Sequence, residues 1–170
     1  LGSAAVAKAD PDGYTTLINA AAHSGAPAAY PNLPYDAAND FSAVASFGNV
    51  PNVLLVAPSK DIKTVQELVA KAKSGSLSFA SAGVGSATHW AAERFNVSAG
   101  LKVTHVPFRG GGPAMIDVVG GHTNAIFATV PTATPQVKSG KARALAVGAS
   151  KRQAALPDVP TAAEAGLPGY

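Results

Sequence analysis

Residues Phe79–Trp90 read FASAGVGSATHW: a short strand-like run, a loop of glycine, alanine and serine, and the capped start of a helix. Gly83 and Gly85 permit positive φ and close backbone approach. Ser86 is suited to cap the helix, whose expected buried stripe is Ala87, Trp90, Ala91 and Phe95. Strand, glycine turn and helix in that order form the repeating unit of an α/β fold.

The same unit recurs on both sides of this stretch. Strand candidates are Tyr14–Asn19, Phe41–Phe47, Asn52–Ala57, Leu77–Ala80, Lys102–Val106, Asn124–Ala128 and Arg143–Val147. They are short, continuously apolar or β-branched, and fenced by glycine and proline, as strands of a mostly parallel sheet covered on both faces should be. Thr64 to Glu67 spells a capping box, after which Val65, Leu68, Val69 and Ala72 keep helical spacing up to Gly75. Pro113 suits a first helical position before Met115, Ile116 and Val119, and Thr134-Pro135 opens a further helix closed by Gly140. Thr161 to Glu164 is a second capping box ended by Gly166. Pro27–Asp40 is rich in Pro, Asn and Asp and is expected to be a surface loop. Leu1 runs directly into GSAAVAKA, the pattern of the last turns of a helix, so more chain is expected upstream. Crossings between lobes are expected at Ala57-Pro58 and after Gly140; periodicity alone is equally consistent with one doubly wound domain.

Composition removes several function classes. Of 170 residues, 47% are hydrophobic and only 14% charged, against an average of about 25% charged. That balance supports a sizeable core and excludes a disordered segment or a coiled coil. Thirteen Lys and Arg face ten Asp and Glu, a net +3, and they are scattered without aromatic clusters, which argues against a nucleic-acid partner. With no cysteine there is no disulfide, thiolate metal site or Cys nucleophile. No apolar run approaches the ~20 residues of a membrane span, so stable insertion is not expected.

Three strand ends carry the residue types of an anion site. Ser86, Ala87 and Thr88 put backbone N–H groups at the positive end of a helix dipole, able to hold a carboxylate without a cationic side chain. The loop lacks the third glycine of a dinucleotide fingerprint and the Lys of a P-loop, so no nucleotide cofactor is expected; a purely structural glycine turn fits it equally well. VPFRGGGP (Val106–Pro113) offers Arg109, which faces either an anion or solvent, and FATVPTATP (Phe127–Pro135) offers Thr129, Thr132 and Thr134 hydroxyls. Catalytic patterns are lacking. There is no GxSxG or HExxH. His23, His89, His105 and His122 include no i, i+4 pair for a metal. Ser86 and His89 share a helical turn without a carboxylate to orient the histidine. No metal and no enzymatic activity are expected.

Several motifs together resemble one family. AAVAKADPDGYTTL, LPYDAANDF, PNVLLVAPS, LSFASAGVGSATH, VTHVPFRGGGPAMIDVVGGH, VPTATPQVKSGKARALAVGASKR and ALPDVPTAAEAGLPGY occur in order through nearly the whole chain. They resemble the substrate-binding receptors of tripartite tricarboxylate transporters, the TctC or Bug family.

The resemblance implies a two-lobed periplasmic receptor of the type II binding-protein kind that captures a small organic carboxylate and delivers it to the membrane components of a transporter. A ligand sensor of the same fold, signalling to a membrane partner, is the alternative. Residues 1–57 map to part of the first lobe, 58–140 to the second, and 141–170 to the return into an incomplete first lobe. In the family, backbone amides and small hydroxyls of two loops hold the carboxylate. They map onto Ser81–His89, with Ser81, Gly83, Gly85, Ser86, Ala87, Thr88 and His89 as candidates, and onto Asn19–His23, with Ala21 and His23 as candidates and Ala22 where Thr is usual. Arg109 and Thr129 complete the expected set. The family's Pro-Gly-Gly loop would lie upstream of Leu1, so this chain is expected to bind more weakly than a full receptor and to expose an open strand edge. Ala128 stands where the family commonly has Asp, which implies a ligand more anionic, or bulkier and more apolar, than a simple amino or hydroxy acid.

Overall fold

In the computed structural model, which describes residues 2–75, 77–167 and 169–170, five of the expected apolar runs become strands. These are β1 (Asn52–Val56), β2 (Ser78–Ser81), β3 (Thr104–Pro107), β4 (Ala125–Thr129) and β5 (Arg143–Val147). They form one sheet in the order β3-β2-β4-β1-β5. β2 pairs parallel with β3 and β4, whereas β1 pairs antiparallel with β4 and β5. Four strands therefore share a direction and β1 alone opposes them. The three strands expected within 58–140 lie in one sheet, which β1 and β5 continue.

The helices are α1 (Gly2–Ala7), α2 (Ala21–Ala29), α3 (Val65–Ser74), α4 (Ala87–Ala99), α5 (Gly111–Val119) and α6 (Val130–Lys138). Leu1, with which the expected N-terminal helix opens, lies outside the described residues. The cap of α3 forms, with Thr64 Oγ1 accepting the Glu67 N–H at 3.1 Å, but the box is shifted: Glu67 Oε2 accepts the N–H of Lys63, one residue before the cap, at 2.6 Å. α4 ends on Gly100 in the left-handed region at φ +64°.

Strand alternation sends side chains to two apolar clusters, one on each face. Leu54, Val56, Phe79, Ala125 and Phe127 pack with Leu68 of α3 and with Ala91, Ala92 and Phe95 of α4. Val53, Leu55, Ala80, Ile126 and Ala128 pack with Ala114, Met115 and Val118 of α5 and with Val130 and Ala133 of α6. Phe79, Phe95 and Phe127 stand within 5.5–5.8 Å of one another, ring centre to ring centre. Tyr170 stacks on Phe127 at 5.6 Å with the Arg94 guanidinium above it, and burial pushes its phenol up to about 12.

Six local expectations differ from the structure. Tyr14–Asn19 and Phe41–Phe47 form no strand, and Tyr14, Ile18, Val44 and Phe47 are exposed. β-branched and aromatic content suits a strand, but only a neighbouring edge completes its ladder, and the described residues supply none there. The expected loop at Pro27 begins instead inside α2, which runs on to Ala29. α5 begins at Gly111, ahead of Pro113, since a third-position proline loses no bond the helix would have made. α6 begins at Val130 and runs through Pro135 with Pro131 in its first turn. The second capping box makes both its bonds, Glu164 N–H to Thr161 Oγ1 at 3.2 Å and Thr161 N–H to Glu164 Oε2 at 2.8 Å, yet yields only a turn. Gly166, at φ +86°, ends it before a second turn forms.

Phe127 is the aromatic centre of the first cluster at 2% exposure, while Ile116 on the outer face of α5 is 75% exposed. Phe127→Ala is expected to lower the unfolding free energy by about 3–5 kcal/mol in urea titrations. Ile116→Ala is expected to change it by less than about 0.5 kcal/mol.

Candidate anion site at the carboxyl ends of β2 and β4

β2 leads through α4 to β3 on one side, whereas β4 leads through α6 to β5 on the other. α4 covers one face of the sheet and α6 the opposite face. The chain thus leaves two adjacent parallel strands in opposite directions, and the region outside their carboxyl ends is the crevice position at which open α/β sheets bind ligands. Ser81 and Thr129 terminate the two strands.

The loop after β2 is held by its own side chains. Gly83 and Gly85 have φ of +129° and +74°, a region side chains rarely adopt. Ala82 N–H donates to Thr88 Oγ1 at 2.9 Å, Gly83 N–H to Ser81 Oγ at 3.1 Å, and Gly85 N–H to His89 Nδ1 at 3.1 Å. Ser86 caps α4 by accepting the His89 N–H at 3.2 Å, and its own hydroxyl donates to the Gly83 carbonyl at 2.7 Å. The expectation that Ser86 offers a free N–H is corrected: that group donates to the Gly83 carbonyl at 3.2 Å, closing the turn. None of these bonds engages the N–H groups of Ala87 and Thr88, which begin α4 and have no carbonyl ahead of them in the helix.

The loop after β3 lies alongside. Phe108 N–H donates to the Ser81 carbonyl at 2.9 Å, and Gly110 N–H to the Ala82 carbonyl at 3.2 Å. Arg109, between them, is exposed. Thr129 stands at the start of α6, its hydroxyl 3.0 Å from that of Thr132. Ala128 is 3% exposed and packs in the cluster of Val53, Ala80 and Ala114, directly beneath Thr129.

From the N-terminal segment it is the far end of α2 that meets the loop. Tyr30 donates its hydroxyl to the Val84 carbonyl at 3.0 Å, and a Cβ on Gly85 would stand 3.4 Å from Ala29 and Tyr30. Ala21 opens α2 exposed. His23 Nε2 donates to the Ala37 carbonyl at 3.0 Å, with its ring against Tyr35 and Phe41. The structure therefore gathers Ser81 to His89 with the Arg109 loop, and occupies His23 with its own aromatic group.

Two residues at this end of the sheet escaped the sequence-based set. Tyr30 gave no signal, because its contact spans 54 positions. His105 carried a visible ring, but its partner is set by strand pairing. Its Nε2 lies 2.6 Å from Ser81 Oγ, and its ring stacks on that of His89 at 4.0 Å. The Gly85 N–H leaves His89 Nδ1 without a proton, so the neutral ring carries its proton on Nε2, 3.8 Å from Glu93 Oε1. Burial, with His89 beside it, pulls the His105 pKa below its ordinary value.

Residues 1–170 match the family described as tripartite tricarboxylate transporter family receptor. The chain belongs to that family. Protein BugT of Bordetella pertussis is 36% identical over 177 residues, covering 100% of this chain and 53% of its own length. A protein from the tcbD-tcbE intergenic region of Pseudomonas sp. strain P51 is 38% identical over 173 residues, covering 100% of this chain and 52% of its own. The chain thus spans about half the length of the curated relatives it matches. Among solved structures, MatC of Rhodopseudomonas palustris with bound malate superposes with a TM-score of 0.91 at 35% identity, covering 99% of this chain and 58% of that one. Rpa4515 of R. palustris with adipate gives 0.91 at 34%, covering 99% and 57%. Over the matched portion these structures share the mixed α/β architecture described above. No described helix is long and apolar enough to cross a membrane.

Two outcomes follow from the site's packing. The fold favours neutral His105 whereas the unfolded ring titrates near 6.5, so acid protonates the unfolded chain first. Stability is therefore expected to be full above pH 6.5 and to fall as the pH drops below it, with a flatter profile in His105→Gln, measured by urea midpoints across pH 5–8. Ala128→Asp buries a carboxylate in an apolar cluster at a cost of roughly 3 kcal/mol or more. It is expected to lower the thermal midpoint by roughly 6–12 °C, while Ala128→Ser leaves it within a few degrees.

Proposed function

We propose that this chain is the ligand-holding portion of a periplasmic receptor that captures a small organic carboxylate and passes it, chemically unchanged, to the membrane components of a tripartite transporter. The observation that carries this reading is the pair of uncommitted N–H groups at Ala87 and Thr88, at the amino end of α4 beside the carboxyl ends of β2 and β4. Malate in MatC and adipate in Rpa4515 give the ligand class, a flexible dicarboxylate. The first-turn amides and helix dipole hold one carboxylate, each contact contributing about 0.3–1 kcal/mol where water reaches it and up to about 2 where it does not. Ser81, Gly83, Gly85, Ser86 and His89 hold the loop in shape around it, Thr129 offers a hydroxyl from the neighbouring strand end, and Arg109 contributes long-range attraction. Ala21 and His23, at the start of α2, hold the N-terminal segment rather than the ligand, His23 through its bond to the Ala37 carbonyl. Ala128 keeps the crevice floor uncharged, which suits a doubly anionic ligand.

In this reading residues 58–140 are the body of the second lobe. Residues 1–57 and 141–170 belong to the first, and β1 and β5 carry the chain in and out side by side. The receptor uses no cofactor, metal or nucleic acid, and it meets the membrane only through its transporter.

Calorimetric titration of the receptor with malate and with adipate tests this. Binding without turnover is expected, and Gly85→Val is expected to weaken it about tenfold, more than Arg109→Ala does. Thermal midpoints of both variants separate lost affinity from lost folding. Absence of carboxylate binding, or a larger loss in Arg109→Ala than in Gly85→Val, would overturn the proposal.

A further inference from the structure

The anion loop is supported from behind by a residue on a different strand. Ser81 is fully buried, and its single hydroxyl serves three partners. It accepts the Gly83 N–H at 3.1 Å, approaches the Gly83 carbonyl at 3.2 Å, and meets His105 Nε2 at 2.6 Å. His105 belongs to β3, where it pairs with Phe79 of β2, and therefore shares the face on which α4 lies. Its ring also stacks on His89 with an interplanar angle of 15° at 4.0 Å. His89 in turn accepts the N–H of Gly85, the loop's other left-handed glycine. Both glycines are thus restrained by side chains that His105 touches, one by hydrogen bond and one by stacking.

We propose that His105 is a positioning residue of the anion loop, fixing the Ser81 hydroxyl and through it the path of Ala82 to Gly85, so that the amino end of α4 faces the crevice in one orientation. It need not touch ligand to do this. A serine hydroxyl without His105 rotates among three staggered positions, only some of which serve Gly83. A short bond to an imidazole removes that freedom before any ligand arrives, which is how rigid sites avoid an ordering cost on binding. The charged and titratable groups facing His105 are His89 and Glu93, both from α4. A neutral ring meets the serine equally well as donor or acceptor.

The proposal rests on the carboxylate-binding reading for its affinity arm and stands apart from it in its exchange arm. In the ligand-free receptor, amide hydrogen exchange at residues 82–85 is expected to speed up at least tenfold in His105→Phe, which keeps an aromatic ring for the stack but loses the bond. Ser81→Ala is expected to do the same and His105→Gln to restore protection, with β4 and α5 unchanged in all three. Malate and adipate affinities are expected to fall about tenfold in His105→Phe and in Ser81→Ala, to recover in His105→Gln, and to fall no further in the double variant, because the two act through one bond. Additive losses in the double variant, or unchanged exchange in His105→Phe, would overturn the proposal. Should the unaltered receptor bind neither acid, the functional reading fails, and the exchange data still decide the role of His105.

Discussion

Everything at the crevice depends on β4 being paired along both edges. Its register with β1 runs unbroken from Asn52 opposite Thr129 to Val56 opposite Ala125, while Phe79 and Ala80 of β2 bind its other side. With both edges hydrogen-bonded, successive side chains of β4 have nowhere to go but the two apolar clusters, and each is at most 3% exposed from Ala125 to Ala128. That burial places α4 and α6 on opposite faces, and the opposed exits open the crevice between their amino ends. A strand with one free edge would not hold two helix termini in a constant relation.

The loop above β2 shows how a backbone site is stabilised without cations. Its glycines take conformations that side chains disfavour, and the N–H groups of Ala82, Gly83 and Gly85 are each tied to a neighbouring hydroxyl or imidazole. What remains uncommitted is the Val84 N–H in the loop and the first two positions of α4. Internal satisfaction of the loop and availability of the helix end are two aspects of one arrangement: were Ser81, Thr88 and His89 unable to accept those protons, the loop amides would compete for any bound anion and blur its position. Arg109 outside and the scattered positive charge add attraction at a distance, which salt screens within about 10 Å.

Contact between the N-terminal segment and the site runs through the end of α2. Tyr30 reaches the Val84 carbonyl, and the Trp90 indole occupies the space that a side chain on Gly25 would need. Both contacts abut the loop or the first turn of α4, so α2 is seated against the same helix end that forms the candidate site.

The sequence by itself determined the alternation of strands and helices, the caps of α3 and α4, the glycine loop and its family. Those depend on residues within a few positions of one another: Thr64 with Glu67, Ser86 with His89, Gly83 with Gly85. It also exposed the resemblance, since seven motifs in order are a local record read many times. Tertiary structure decided the rest. Tyr14–Asn19 and Phe41–Phe47 have the composition of strands, but a ladder needs a second edge, and composition cannot supply one. The reversed direction of β1 and the pairing of Ser81 with His105 arise from hydrogen bonds between residues dozens of positions apart. The free N–H groups at the site could be counted only after Ser86 was found to have spent its own on Gly83. Short-range rules name the groups that are able to bond; which of them remain unbonded is fixed by the packing of the whole chain.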